Sequence, residues 1–170
     1  MADSIVSSVT IKIKSVATAS GDHETYTSPI DYTKTISFTD GTGANGIEYH
    51  WSDNRALSAA SNEDLDLAGG LTDPALRVIT FSAIKMIYIF SNATDGVLTV
   101  GGAASAQLVN WVSDSSDEVI VRPGGFLCLV AADATGYAVG AGTADELNLA
   151  HTGAAAMTYD IIIFGEGTVA

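Results

Sequence analysis

The chain has 170 residues, of which 47% are hydrophobic and only 16% are charged, against a usual charged share of about 25%. Its net charge is -13, and its seven Lys and Arg residues form no cluster of the kind that binds a nucleic-acid backbone or an anionic membrane. We therefore expect no direct nucleic-acid binding and no membrane contact, and this length predicts a single domain.

The N-terminal segment from Ser4 to Lys14 alternates between apolar and polar residues. The apolar side chains that share one face are Val9, Ile11 and Ile13. This period of two is typical of a half-buried strand. We interpret residues 1–14 as an N-terminal strand or arm and residues 15–170 as a β-sandwich domain. The first residues lack the basic and apolar regions of a secretory signal, so we expect none.

The middle of the chain continues as short apolar runs separated by Gly, Asn, Ser and Asp. Strands are predicted at Ile30–Thr39, Ile47–Ser52, Asp64–Ala68, Leu76–Phe81, Ile84–Ser91 and Val97–Val100. Residues 40–46 predict a loop, because Gly and Asn tolerate positive φ. The run Ile84–Ser91 is apolar almost throughout, which is typical of a central strand buried on both faces.

The C-terminal half shows the same pattern. Strands are predicted at Gln107–Val112, Glu118–Arg122, Phe126–Ala131, Tyr137–Val139, Glu146–Leu149 and Met157–Gly165. The sequence Pro123-Gly124-Gly125 suits a tight turn, with Pro presetting φ and Gly supplying a positive one. We expect this turn to join Glu118–Arg122 and Phe126–Ala131 as a hairpin.

Together these segments predict an all-β, single-domain β-sandwich of about eight to eleven short strands. A jelly roll, which closes its edges with two four-stranded sheets, fits the count best. A different Greek-key sandwich remains an alternative.

Asp64 and Asp66 are the best acidic candidates for a site. In a strand they share one face, where two carboxylates can bind Ca²⁺, although a solvated strand face is the favoured interpretation. The acidic group Asp114–Glu118 is interpreted in the same way.

The remaining chemistry-bearing residues are scattered. The histidines His23, His50 and His151 show no ligand spacing. There is no Gly-x-Ser-x-Gly motif, and the single cysteine, Cys128, is interpreted as a small buried hydrophobe. Core positions are favoured for Trp51 and Trp111. We therefore predict no catalytic, cofactor-binding or metal-binding residues, and no enzyme activity.

Six segments between residues 47 and 165 form a recognisable order: Leu65–Asp73, Ile84-Lys85, Val121–Gly125, Asp133–Tyr137, Ala141–Asp145 and Tyr159–Ile161. In this order they resemble small virion structural proteins of tailed bacteriophages. Within that class the chain is most similar to a capsid decoration, or cement, protein. The resemblance implies a homotrimer that binds the major capsid protein on the outer capsid surface and is made in the host cytoplasm.

Two other functions remain open. One is a component of the phage tail, fibre or baseplate, for which the same β-rich composition would serve. The other is a carbohydrate-binding β-sandwich module, which would place Trp51, Trp111 or Tyr137 on an exposed face beside acidic residues.

Overall fold

The computed structural model describes residues 4–170, and within that range the chain is all-β. Its thirteen strands are β1 (Ser7–Ser20), β2 (Thr25–Asp40), β3 (Gly46–Ile47), β4 (Tyr49–Leu57), β5 (Asn62–Asp66), β6 (Ala68–Thr72), β7 (Val78–Ser91), β8 (Leu98–Gly101), β9 (Glu118–Val121), β10 (Phe126–Val130), β11 (Tyr137–Ala138), β12 (Glu146–His151) and β13 (Met157–Val169). The predicted all-β sandwich is confirmed.

Two sheets form the sandwich. The front sheet has the order β10-β7-β13-β4, with β6 and β11 also paired to β7, and the back sheet has the order β5-β12-β8-β9. A third, smaller sheet consists of the hairpin β1–β2, with β3 added in parallel to the end of β2.

The antiparallel pairs of the sandwich are nested along the chain. Strand β4 pairs with β13, β5 with β12, β7 with β10, and β8 with β9, so each pair lies inside the previous one in sequence. Successive pairs alternate between the front and back sheets. Most contacts are therefore between residues far apart in sequence, which is the topology that folds slowly.

The core lies between the two sheets and consists of alternate residues from each strand. The front sheet contributes Ile79, Ile87, Ile161 and Ile163, and the back sheet contributes Leu65, Leu98, Leu147 and Leu149. All eight side chains are at most 3% exposed. Strand β7 is buried along most of its length, as the apolar run Ile84–Ser91 predicted.

Two predictions for the C-terminal half are wrong, one of a strand and one of a hairpin. Residues 107–112 form an isolated bridge at Gln107 followed by a turn, in which the Trp111 indole N–H donates to the Leu108 carbonyl at 2.8 Å. The predicted hairpin across residues 123–125 is also wrong, because β9 pairs with β8 in the back sheet and β10 pairs with β7 in the front sheet. The turn instead crosses between the sheets, and the Gly124 N–H donates to the Ser91 carbonyl.

Strand boundaries differ from the predictions at several further places, among them the start of β2 at Thr25 and the end of β4 at Leu57. The runs predicted as separate strands between residues 76 and 91 form the single strand β7. At the N-terminus β1 continues to Ser20 and pairs with β2, so the division at Lys14 falls inside a strand. Residues 1–3 of the predicted arm lie outside the described residues.

A buried ion pair ties the loops at one end of the sandwich to the front sheet. Lys85 is fully buried at a register shift between β7 and β13, where it is an extra residue on β7. Its Nζ lies 3.0 Å from Glu166 Oε1 and donates to the carbonyls of Gly43 and Asp133, at 3.2 and 2.8 Å. Glu166 Oε1 also accepts the Gly43 N–H at 2.8 Å. One cation therefore holds two loops and β13 together.

Replacing Glu166 by Gln removes the charge that faces the Lys85 ammonium and keeps the side-chain shape. We expect Glu166→Gln to lower the free energy of unfolding by about 3–5 kcal/mol, because a buried cation without its partner keeps its desolvation cost. Urea unfolding followed by tryptophan fluorescence measures the change. Asp31→Asn, which removes the exposed Lys14–Asp31 pair, is the control and should change stability little. Equal losses in the two variants would contradict this role.

Candidate functional site

The hairpin of β1 and β2, which we call the arm (Ser7–Asp40), projects from the sandwich. Its register runs without interruption from the Ser7–Phe38 pair at the root to the Ser20–Thr25 pair at the tip. The fourteen residues of β1 extend over about 46 Å at about 3.3 Å per residue. Every residue from 10 to 35 is exposed. The arm is therefore a long two-stranded ribbon surrounded by solvent on both faces.

The two faces of the arm differ in polarity. Alternation places one set of side chains on the first face, which we call the apolar arm face: Val9, Ile11, Ile13, Tyr26, Ile30, Tyr32, Lys34 and Ile36, with Ser and Ala between them. The other face is rich in Thr and carries Lys12 and Lys14, with Val16 and Pro29 as its apolar members. Ile13 and Tyr32 are directly opposite each other, and each is 52% exposed.

The root of the apolar arm face is part of a small hydrophobic core. Phe38 is fully buried with Ile5 and Ile47, and its ring meets Phe164 edge-on at 6.1 Å between centroids. Val130 of β10 packs against the same cluster. The face that is buried at the root therefore continues outward as an exposed apolar strip.

Contacts within the arm are modest. The hydroxyls of Thr10 and Thr35 lie 2.9 Å apart, and Lys14 pairs with Asp31 at 3.1 Å on the exposed surface. Such cross-strand pairs contribute about 0.2–1 kcal/mol each, and an isolated two-stranded hairpin is marginally stable in water. A contiguous exposed apolar strip of this kind marks an interaction surface.

A second apolar surface lies on the sandwich. The outer side of the front sheet, which we call the apolar front face, is formed by Met86, Tyr88, Phe90, Phe126, Cys128, Asp160, Ile162 and Phe164. Phe126 is 62% exposed, and its ring lies 5.8 Å from that of Tyr88. A groove of about 240 Å³ between Val9 of the arm root and this face joins the two surfaces.

One carboxylate lies on the apolar front face. Asp160 accepts hydrogen bonds from the side-chain amides of Asn54 and Asn92, at 2.6 and 3.2 Å. No Lys or Arg in residues 4–170 forms an ion pair with it. Its charge is thus oriented by two neutral groups and is not neutralised.

Charge is divided unevenly between the arm and the sandwich. The arm carries three basic and four acidic residues, a net charge of -1, whereas residues 41–170 carry four basic and fifteen acidic residues, a net charge of -11. Lys34 is the charged residue on the apolar arm face, and it forms no ion pair with any described residue. The arm is the least negative part of the molecule.

The acidic candidates from the sequence are bound to local groups. Asp64 accepts a hydrogen bond from the Asn148 amide at 2.7 Å, and Asp66 accepts one from the Ala68 N–H at 2.8 Å. In the second acidic group, Asp114 and Asp117 accept hydrogen bonds from backbone N–H groups of their own turn. Across residues 4–170, no three His, Cys, Asp or Glu side chains are arranged to hold a metal ion.

The structure does not bring the three histidines together. His23 lies at the arm tip, His50 lies beside Phe164 on the front sheet, and His151 is buried in the back sheet. His151 Nε2 lies 3.0 Å from the Ala155 carbonyl oxygen, which is a structural contact. Cys128 is half-buried, and burial raises the pKa of its thiol, so it is a poor nucleophile at neutral pH.

The aromatic candidates occupy different environments. Trp51 is 7% exposed and belongs to the main core. Trp111 and Tyr137 are half-buried and pack against the same core. A sugar ring cannot stack on Trp51 in this conformation.

A shallow groove of about 340 Å³ beside β4 holds several titratable groups. Asp53 pairs with Arg55 at 3.1 Å, and Asp73 pairs with Arg77 at 2.6 Å. Backbone and side-chain hydrogen bonds from Arg77 lower the pKa of Asp73. A carboxylate whose pKa is lowered by such partners is a weak proton acceptor, which applies here to Asp73.

A polar network links the two sheets near the same groove. Glu63 of β5 accepts a hydrogen bond from the Tyr159 hydroxyl at 2.7 Å and pairs with Arg55 at 2.5 Å. Burial alone would raise the pKa of Glu63, but these two partners hold it below its ordinary value. Burial and the bond to Glu63 raise the pKa of Tyr159, which keeps its hydroxyl protonated. The network is a structural connection between the sheets.

No protein-family model matches the chain, and no curated protein gives a significant match. Its function must therefore be inferred from the surfaces of the molecule. Residues 4–170 include no helix of the length and hydropathy needed to cross a bilayer.

Sequence reasoning missed several exposed apolar residues of the apolar arm face. Tyr26 lies outside every predicted strand, and the sequence places Ile30 and Tyr32 in a strand of the sandwich domain. Their alternation was visible in the sequence, but it does not tell an exposed apolar face from a buried one.

Burial, followed by the charges of Asp66, Asp145 and Asp64, raises the pKa of Glu146. Its Oε2 is buried and accepts no hydrogen bond from the described residues. When a carboxyl has a higher pKa in the folded state than in the unfolded chain, the protein loses folding stability as the pH rises through the folded-state pKa. This loss is absent well below about pH 4, where the carboxyl is protonated in both states.

We therefore expect Glu146→Gln to raise the midpoint of thermal unfolding at pH 7 by about 2 °C, or about 0.5–1 kcal/mol at this chain length. The gain should disappear at pH 3.5, where the native carboxyl is protonated. Scanning calorimetry at both pH values measures this. Glu118→Gln, an exposed acid of the same sheet, controls for the loss of one negative charge, and an equal gain there would contradict the argument.

Proposed function

We propose that the protein is a non-enzymatic virion structural protein of a tailed bacteriophage, a capsid decoration or cement protein. In this role it bridges coat subunits on the outer shell and stabilises the head. The observation that carries the proposal is the arm, whose exposed apolar face is suited to binding another protein chain.

The molecule consists of a rigid sandwich and an arm with an exposed apolar face. The sandwich is held by nested strand pairs, and the arm root is anchored through Phe38 and Phe164. A rigid body that contacts several subunits at once gains avidity without new chemistry. Opening the shell would then require these contacts to be broken together.

Homotrimerisation is part of the proposal. A trimer presents three copies of each coat-binding surface, so weak individual contacts add. Exposed apolar residues away from the arm are available for such contacts, among them Leu76 at 84% exposed and Ile120 at 60% exposed. The net charge of -13 suits an external position, away from packaged DNA.

Two further observations support this class of protein. The sequence phrases between residues 47 and 165 resemble small virion proteins of tailed phages. The strand orders β10-β7-β13-β4 and β5-β12-β8-β9, built from nested pairs, favour the jelly-roll arrangement that the resemblance implies.

The alternative is a component of the tail, fibre or baseplate, where the same arm would link neighbouring chains. A carbohydrate-binding module is less favoured, because Trp51 is in the core.

The test is the location of the chain in purified virions. We expect cryo-electron microscopy to show it on the outer surface of the head, and added protein to raise the temperature at which shells stripped of it release DNA. Bovine serum albumin at equal concentration is the control. Density confined to the tail would favour the alternative, and absence from the particle would overturn both assignments.

A further inference from the structure

We propose that the apolar arm face of one copy packs on the apolar front face of a second copy of this chain, with Lys34 meeting Asp160. The inference deepens the proposed function and rests on it, because it names what links the copies of the decoration protein.

The first argument is that both surfaces are apolar sheet faces with exposed side chains. Tyr32 and Ile13 on the arm are each 52% exposed, and Phe126 on the front face is 62% exposed. Two sheet faces pack at about 10 Å when apolar side chains interdigitate. Each face therefore offers the kind of surface that the other requires.

The second argument is that an arm does not cover the front face of its own copy. The root contacts this face near Val130 and Phe164, but residues 10–35 are exposed, so the arm departs from its own sandwich beyond the root. Phe126, at the opposite end of β10 from Val130, stays open. An arm from another copy can reach it.

The third argument is charge. The apolar arm face carries one charged residue, Lys34, and the apolar front face carries one carboxylate, Asp160. Neither forms an ion pair among residues 4–170. Opposite charges on complementary faces fix orientation and suppress other pairings. Two sandwiches of net charge -11 repel each other, so contact through the arm is the less repulsive arrangement.

The fourth argument is area. An arm of about 46 Å by about 10 Å covers about 450 Å² on each of the two surfaces, or about 900 Å² in total, which is small for a stable interface. If each copy packs its own arm on a second copy and also binds an arm on its front face, it buries about 900 Å² of its surface. This is close to the area per partner in a standard interface. This favours a closed assembly in which every arm is bound. A reciprocal dimer places the whole area in one interface, whereas a ring, such as the proposed trimer, divides it between two neighbours.

The main test measures assembly of the purified full chain by light scattering and sedimentation velocity. We expect an oligomer for the native chain, and at least about a ten-fold weaker assembly for Lys34→Asp and for Asp160→Lys, because each places like charges together. The double variant should restore assembly, since the pair is re-formed with its signs exchanged. Lys12→Asp, on the polar face of the arm, is the matched control and should assemble normally.

A second measurement does not depend on these charges. Cys128, the single cysteine, lies on the apolar front face, so Ile13→Cys should give a covalent oligomer under mild oxidation with copper phenanthroline. Thr10→Cys, on the opposite face of the arm, should cross-link far less. Circular dichroism confirms that each variant is folded.

A monomeric native chain, a double variant that stays dissociated, or equal cross-linking by both cysteine variants would overturn the inference. A monomer whose arm becomes protected only on phage shells would assign the arm to a coat subunit and overturn it as well. A chain that exchanges arms but does not bind shells would overturn the proposed function alone. A monomer that decorates shells would overturn this inference alone.

Discussion

Strand β7 is the element on which the rest of the structure depends. It pairs with β10, β13, β6 and β11, so the front sheet is assembled around it. Its inward side chains, such as Ile87, belong to the core, and its outward side chains, such as Tyr88, form the apolar front face. At the register shift with β13 its extra residue, Lys85, is fully buried and ties the loop at Gly43, beside the arm root, to Glu166 of β13. The position of the arm is thus set by the core strand.

The chain has only seven Lys and Arg residues, so the ion pairs that they form are few. Arg55, Arg77 and Lys85 are each paired with carboxylates, and they link strands or close loops. The basic residues without an ion pair among residues 4–170 are Lys12, Lys34 and Arg122. Two of these three lie on the arm. The acidic sandwich pairs three of its four basic residues internally, whereas two basic residues of the arm have no ion pair among residues 4–170. Electrostatics therefore favours contact with another acidic chain through the arm.

The apolar residues of the sandwich core are covered within the chain, whereas those of the apolar arm face are not. In the sandwich each sheet covers the inner face of the other, so the core needs nothing outside the chain. The arm has two strands and no covering layer, and its apolar face therefore stays in contact with water in the isolated chain. A partner that packs on the apolar arm face supplies the missing layer, so this face becomes buried when the partner binds.

The sequence by itself determined the all-β class and most strands, because β-branched alternation and Gly or Asn turns are local signals. It also identified β7 as an interior strand of a sheet, because its run of residues is apolar on both faces. The expected burial of both faces is only partly met, since Tyr88 and Phe90 on the outer face are half-buried. Only the tertiary structure decided that residues 118–130 divide between two sheets and that Tyr32 lies in solvent while Phe38 is buried. Those outcomes depend on pairing between strands far apart in sequence, and alternation is the same whether the apolar face meets a second sheet or water.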